Sequence, residues 1–302
     1  MEIGRLLTAM ATPFDENGRV DFAQAKRLAN ALLASGSDGM VVAGTTGEAP
    51  TLTHDEKLQL FAEIKREVGD RGTVLAGSGT YSTAESIELT REAAAAGVDG
   101  LLLTCPYYNR PPQEGLFRHF EAIANSTALP CILYNVQTRT AVNMTAETTV
   151  RLSHIPNIVG TKEASGDLEQ IAAIAAHTSP DFRIWSGDDS LTLPIMSVGG
   201  YGAISVVAHL AGSQIRSMIE AHVAGLTDEA TATHQRLLPL INAIMATMPN
   251  PMPLKHALND VGFFVGNPRL PLVAPEGAIA EAITTEVRKH QIDLPVAVSP
   301  VN

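Results

Sequence analysis

Lys162 ends an apolar run, Ile158-Val159-Gly160-Thr161-Lys162, and is followed by Glu163-Ala164-Ser165-Gly166. It is one of six lysines. Lys26, Lys57, Lys65 and Lys289 lie in polar, helix-patterned stretches, and Lys255 follows prolines where a helix should start. A lysine closing a buried strand loses hydration energy unless something compensates, and burial lowers its pKa by disfavouring the charged form. A neutral amine in a pocket is a nucleophile toward ketones, which is what Schiff-base catalysis requires. The competing reading is a lysine that snorkels to the rim of the protein or pairs with Glu163. This stretch by itself does not choose between them.

Other chemistry-bearing groups also follow apolar runs. Gly44-Thr45-Thr46-Gly47-Glu48 offers backbone N–H groups and two hydroxyls suited to a carboxylate, although a plain tight turn would look the same. It is not a Walker A loop, because no Lys-Ser/Thr pair follows the last glycine. Cys105-Pro106-Tyr107-Tyr108-Asn109-Arg110-Pro111-Pro112 places two tyrosines before a proline pair, where packed aromatics are the plain alternative. In Tyr134-Asn135-Val136-Gln137-Thr138-Arg139-Thr140, a tyrosine facing a buried lysine can shuttle protons and Arg139 can grip a carboxylate in bidentate fashion. A hydrogen-bonded core phenol and a surface arginine are the alternatives there. Asp188 and Asp189 in Ser186-Gly187-Asp188-Asp189 read as paired carboxylates or as caps of the next helix. Together these motifs gather a lysine, tyrosines, threonines and an arginine at the ends of successive runs.

Eight runs read as strands: Leu6–Met10, Met40–Ala43, Val74–Ala76, Leu101–Thr104, Ile132–Tyr134, Ile158–Lys162, Arg183–Ser186 and Gly202–Val206. Between them lie amphipathic patterns, such as Phe22, Ala25, Leu28, Ala29, Leu32 and Leu33, or Leu116, Phe117, Phe120, Ile123 and Ala124. Gly36-Ser37-Asp38-Gly39-Met40 and Gly97-Val98-Asp99-Gly100-Leu101 repeat one another at a distance of two strand–helix units. Strand alternating with helix predicts right-handed crossovers and a parallel sheet. Eight units make a closed (β/α)8 TIM barrel over residues 1–224 the leading α/β architecture, with an open doubly wound sheet as the alternative. In a barrel of this kind the C-terminal strand ends carry the active site. Residues 225–302 read as a C-terminal helical domain. Thr227–Met248 is one helix, Pro249-Asn250-Pro251-Met252-Pro253 breaks it, further helices start near Leu254 and Pro275-Glu276, and the tail from Asp293 is expected to be loose.

Composition narrows the function classes. The 302 residues are 45% hydrophobic and 18% charged, enough for a substantial core. A formal net charge of −11 argues against nucleic acid and anionic membranes as partners. Cys105 and Cys131 border apolar runs without metal-ligand spacing, so no metal site is read and a reducing compartment fits. Met1 to Leu7 lacks the pattern of a signal peptide, and no uncharged run reaches membrane-spanning length. The expected location is cytoplasmic.

The ordered motifs resemble those of the dihydrodipicolinate synthase and N-acetylneuraminate lyase superfamily, pyruvate-dependent class I aldolases on a (β/α)8 barrel. The resemblance is closest to its dihydrodipicolinate synthase branch, covers nearly the whole chain and rests on Gly44-Thr45-Thr46-Gly47-Glu48, Pro106-Tyr107-Tyr108-Asn109-Arg110-Pro111, Tyr134-Asn135-Val136, Gly160-Thr161-Lys162-Glu163-Ala164 and Ser186-Gly187-Asp188-Asp189. It implies a lyase of lysine biosynthesis by the diaminopimelate route, condensing pyruvate with L-aspartate 4-semialdehyde to 4-hydroxy-tetrahydrodipicolinate. No separate cofactor is implied, since Lys162 itself forms an imine with pyruvate. By the same resemblance Tyr134 moves protons, Thr45 links Tyr134 to Tyr108, and Tyr108 comes from a neighbouring subunit of a homotetramer built as a dimer of dimers. Thr46 would hold the pyruvate carboxylate, Arg139 would receive the carboxylate of the second substrate, and the backbones of Gly187 and Ile204 would line the pocket. Neuraminate lyases lack an arginine at the Arg139 place.

Departures from the family pattern also matter. Gln137, Thr138 and Ala141 stand where proline, a small residue and glycine are usual, so the loop presenting Arg139 is less rigid by sequence. Regulated members bind lysine at the dimer interface, at positions matching Ala49, His54, Lys57, Tyr81, Glu85 and Tyr107. Tyr81 replaces the usual asparagine and Lys57 adds a cation near the effector's amine, which argues against feedback inhibition.

Overall fold

Eight short apolar runs are buried on both faces, as parallel strands covered by helices must be. In a computed structural model that describes residues 3–295 they are β1 (Leu6–Ala9), β2 (Gly39–Val42), β3 (Thr73–Gly77), β4 (Gly100–Thr104), β5 (Cys131–Asn135), β6 (Ile158–Glu163), β7 (Arg183–Ser186) and β8 (Gly202–Ser205). Neighbours in sequence pair in parallel and β8 closes onto β1, so the sheet is a barrel and not an open doubly wound sheet. All eight predicted strands are present, with no end moved by more than one residue.

The helices are α1 (Phe22–Ala34), α2 (His54–Val68), α3 (Thr83–Ala95), α4 (Gln113–Ala124), α5 (Gln137–Thr140), α6 (Ala146–Leu152), α7 (Leu168–His177), α8 (Thr192–Ser197), α9 (Ala208–Val223), α10 (Thr227–Met245), α11 (Met252–Asp260) and α12 (Gly277–Val287). In α1 the predicted stripe buries Ala25, Leu28, Ala29 and Leu32 against the barrel. The repeated glycines have a shared cause: Gly36 and Gly97 both lie at positive φ, 108° and 85°, just past helix ends. Glycine is the residue that turns there without a steric cost.

After α9 the chain turns at Gly225 and lays α10 back along α9, with α11 and α12 packed on it. At the start of the stretch expected to be loose, Asp293 and Leu294 depart from that expectation. Asp293 N–H donates to the Leu210 carbonyl at 2.7 Å, the Asp293 carboxylate accepts from Gln214 N, and Leu294 is buried. Gln214 lies just past the non-helical Ala211, where the restarted helix α9 has free N–H groups for an acidic cap. Residues 296–302 lie outside the described residues. Among the described residues no helix is long and apolar enough to cross a membrane.

Candidate active site

Strand register brings the chemistry together. In β5 and β6 Tyr134 pairs with Lys162, so both side chains leave the sheet on the same side at the C-terminal end of the barrel. Lys162 is only 4% exposed, and its Nζ lies 4.3 Å from the centre of the Tyr134 ring. Burial pushes its pKa down to about 8, the Asp189 carboxylate opposes that shift, and the Arg139 guanidinium adds to it. Among the described residues Lys162 has no carboxylate within ion-pair distance. Glu163, one residue on, faces the other way, accepting from Ser165 Oγ at 2.8 Å and Asn135 Nδ2 at 3.3 Å. Burial, only partly offset by these hydrogen bonds, raises the Glu163 pKa to about 7. Lys162 therefore neither snorkels outward nor pairs with its neighbour.

Around the amine lies a cavity of about 370 Å³ lined by Thr45, Thr46, Tyr134, Arg139, Lys162 and Gly187 among others. The buried Tyr134 phenol has its pKa raised by desolvation, while Arg139 and a hydrogen bond with the Thr45 side chain act the other way. Gly187 lies against the nucleophile: a Cβ there would stand 2.9 Å from Lys162 Cε and 3.0 Å from the Ala164 methyl. Of the two predicted backbone contributors, Gly187 lines the cavity. Ile204 is buried in β8, and from that side Val206 reaches the cavity instead.

Arg139 is carried on α5, a single turn between β5 and the following loop that the sequence did not announce. Ala141 ends the turn at φ 58°, a left-handed position where glycine would be unstrained. Arg139 Nη2 donates to the Asn250 carbonyl at 2.9 Å. Asn250 Nδ2 donates to Thr46 Oγ1 at 2.9 Å, and the buried Asn250 Oδ1 has no partner. Asn250 lies in the proline-flanked break, and the composition of that break carried no signal for a site.

The paired carboxylates divide their work. Asp188 caps the turn after β7 by accepting from Ser190 N at 2.9 Å, and it also lines the cavity. Asp189 is buried and accepts from Ser205 Oγ and from Val206 N and Val207 N, tying β7 to the end of β8.

A second cavity of about 250 Å³ shares Thr45, Val136 and Arg139 with the first and adds Ala49, Lys57 and Tyr107. Burial lowers the Lys57 pKa against the pull of Glu85. Tyr81 and Tyr107 meet edge to face at 5.2 Å. Tyr81, Glu85 and His54 do not line this cavity; Tyr81 and Glu85 are exposed, and His54 lies 2.8 Å from the Glu92 carboxylate. Tyr108 is not in the site of its own chain. It is 94% exposed at φ 74°.

Sequence reasoning missed a second buried lysine. Lys255 on α11 is fully buried, 2.6 Å from Glu48 Oε1, with its Nζ 3.9 Å from the centre of the Phe14 ring. Burial lowers its pKa to about 8 against the pull of Glu48. The available signal was its place on the stripe Met252, Lys255, Leu258, an apolar helical spacing with a cation in the middle.

A closed parallel barrel with a buried amine in a polar cavity at its C-terminal mouth is the architecture of a small-molecule enzyme. The model of the dihydrodipicolinate synthetase family matches residues 2–290, and the chain belongs to that family. The 4-hydroxy-tetrahydrodipicolinate synthase of Moorella thermoacetica is 56% identical over 289 residues, 96% of this chain and 99% of that one. A crystal structure of dihydrodipicolinate synthase from Bacillus anthracis matches with a TM-score of 0.94 at 43% identity, covering 96% of this chain and 99% of that one. The structure of the Cyanidioschyzon merolae synthase with lysine bound matches at 0.93 and 47%, covering 95% and 97%.

Proposed function

We infer that this enzyme works through an imine between Lys162 and pyruvate. The reaction is the condensation of pyruvate with L-aspartate 4-semialdehyde to 4-hydroxy-tetrahydrodipicolinate, a lyase reaction of lysine biosynthesis by way of diaminopimelate. The observation that carries the mechanism is Lys162 itself, a buried amine of lowered pKa beside the Tyr134 ring in a cavity lined by hydroxyls and an arginine.

Lys162 Nζ adds to C2 of pyruvate, and loss of one water leaves the imine. Tyr134, hydrogen-bonded to Thr45, carries protons to and from the departing hydroxyl. Thr46 and the backbone around it receive the pyruvate carboxylate. The protonated imine draws electrons from the methyl group, so a modest base removes a proton and the enamine forms. Its carbon attacks the aldehyde, making the new C–C bond, and the aldehyde oxygen takes a proton. The α-amino group of the second substrate then attacks the imine carbon, closing the ring and returning Lys162 as the free amine. Arg139 binds the second carboxylate, and Asp188, which lines the cavity, can accept from the substrate ammonium.

The exposed Tyr108 supports its assignment to a neighbouring subunit, completing the relay through Thr45 in a homotetramer built as a dimer of dimers. The free, buried thiols of Cys105 and Cys131 fit the reducing cytoplasm. Lys57 in the lining of the second cavity and Tyr81 against its Tyr107 argue against feedback inhibition by lysine.

Borohydride added with pyruvate should attach a reduced pyruvyl group to the peptide containing Lys162. An unmodified Lys162 would refute the imine. Arg139→Ala should keep that trapping while turnover with the semialdehyde falls by about a hundredfold. Normal turnover in that variant, or activity only on 2-keto-3-deoxy sugar acids, would refute the second-substrate assignment.

A further inference from the structure

The turn that carries Thr45 and Thr46 is held mostly by a part of the chain two hundred residues away. Glu48 closes that turn with its N–H on the Thr45 carbonyl at 3.1 Å, and it lies in the left-handed region at φ 57°. A non-glycine residue there is strained unless its surroundings hold it. Its carboxylate is fully buried between two groups from the C-terminal part of the chain, Lys255 Nζ on α11 at 2.6 Å and Arg269 N in the loop that follows it at 2.9 Å. Thr46 receives Asn250 Nδ2 from the same segment. The opposite side of the turn is fixed by Thr12 Oγ1, which donates to the Gly47 carbonyl at 2.7 Å.

A buried ion pair is a poor way to stabilise a core, because apolar residues of similar volume serve as well without the desolvation cost. It is a good way to specify one geometry. Lys255 also sits over Phe14 with Arg269, whose guanidinium is clamped by Glu56 at 2.6 and 2.8 Å, so the ammonium has little freedom to move.

We propose that Lys255 and Glu48 are positioning residues for the pyruvate carboxylate, the ion pair holding the Thr45–Thr46 turn in the orientation that binds it. The proposal rests on the reading of Lys162 and Thr46 given above. Neither side chain lines the cavity, so neither touches substrate.

The test uses the full chain and three variants: Lys255→Met, the charge-free pair Glu48→Gln with Lys255→Met, and Glu48→Asp, which keeps the charge and shortens the reach. Each is assayed for thermal unfolding, for the pyruvate concentration giving half-maximal borohydride trapping at Lys162, and for the KM of the semialdehyde at saturating pyruvate. The single Lys255→Met leaves an unpaired buried carboxylate and should unfold earlier, and the double variant should regain that loss. Even so, the double variant and Glu48→Asp should need about tenfold more pyruvate, the change expected of about 1.4 kcal/mol in binding. The semialdehyde KM should stay within about twofold, a split that general damage to the fold would not produce. Wild-type pyruvate dependence in Glu48→Asp or in a folded double variant would overturn the positioning role alone. Absence of trapping in the unaltered chain would instead overturn the Lys162 reading, and this proposal with it.

Discussion

Lys162 owes its reactivity to where its strand ends. An ordinary lysine holds roughly one amine in 2,500 neutral at pH 7, whereas a group with a pKa of about 8 holds about a tenth. Because the folded pKa is lowered, the neutral form gains as pH rises through about 8 and is nearly complete a unit above it. The rate of pyruvate trapping should therefore climb between pH 6 and 8 and level off near 9, well below the plateau of a free lysine. Arg139 contributes to this lowering, so Arg139→Ala should move the plateau toward higher pH. A profile still rising steeply above pH 10 would contradict the buried amine. Lys162 could be singled out from its neighbours in sequence, because it closes an apolar run, but whether it stays inside or reaches the rim was decided by the fold. Lys255 could not, since its burial depends on which helix face meets the barrel.

The elements show where local patterning suffices and where it stops. All eight strands were evident because a fully buried parallel strand is a short apolar run bounded by turn residues. α5 was not, because four polar residues carry no periodicity to read. That turn ends at Ala141 in a left-handed conformation, where a Cβ costs about 1 kcal/mol. Ala141→Gly should raise stability by roughly 0.5–1 kcal/mol, partly offset by the greater freedom of the unfolded chain, as measured by urea unfolding midpoints. A lower midpoint would show that the turn is not strained. Asp188 was rightly expected to cap a helix turn, but its neighbour Asp189 joins two strand ends, a pairing between elements that sequence spacing does not encode.

Across the whole molecule the C-terminal helices act on the barrel mouth as well as on each other. Asn250, Lys255 and Arg269 reach Thr46, Arg139 and Glu48, so cavity-lining loops of the barrel are held by a segment that follows the last strand. In the relay proposed for it, Tyr108 extends the same dependence beyond one chain. A symmetric dimer in which each subunit lends this tyrosine predicts complementation between variants. Lys162→Met and Tyr108→Phe should each be nearly inactive alone. Mixed and allowed to exchange subunits, they should recover activity in the hybrids, where one site has both residues intact. No recovery after demonstrated exchange would place Tyr108 outside the relay.

Read by itself, the chain revealed its alternating strands and helices and the amine at the end of the sixth strand, and it made a closed barrel the leading architecture over an open sheet. Those follow from short continuous apolar runs in the strands and from burial repeated every three to four residues in the helices, both local patterns. Only the folded molecule decided that Asn250 lies on Thr46, 204 residues away, and that Lys255 neutralises Glu48. Contacts of that kind depend on how a returning helix is set against the barrel, and a hydrogen bond or ion pair between distant residues leaves no periodic trace in either partner's neighbourhood.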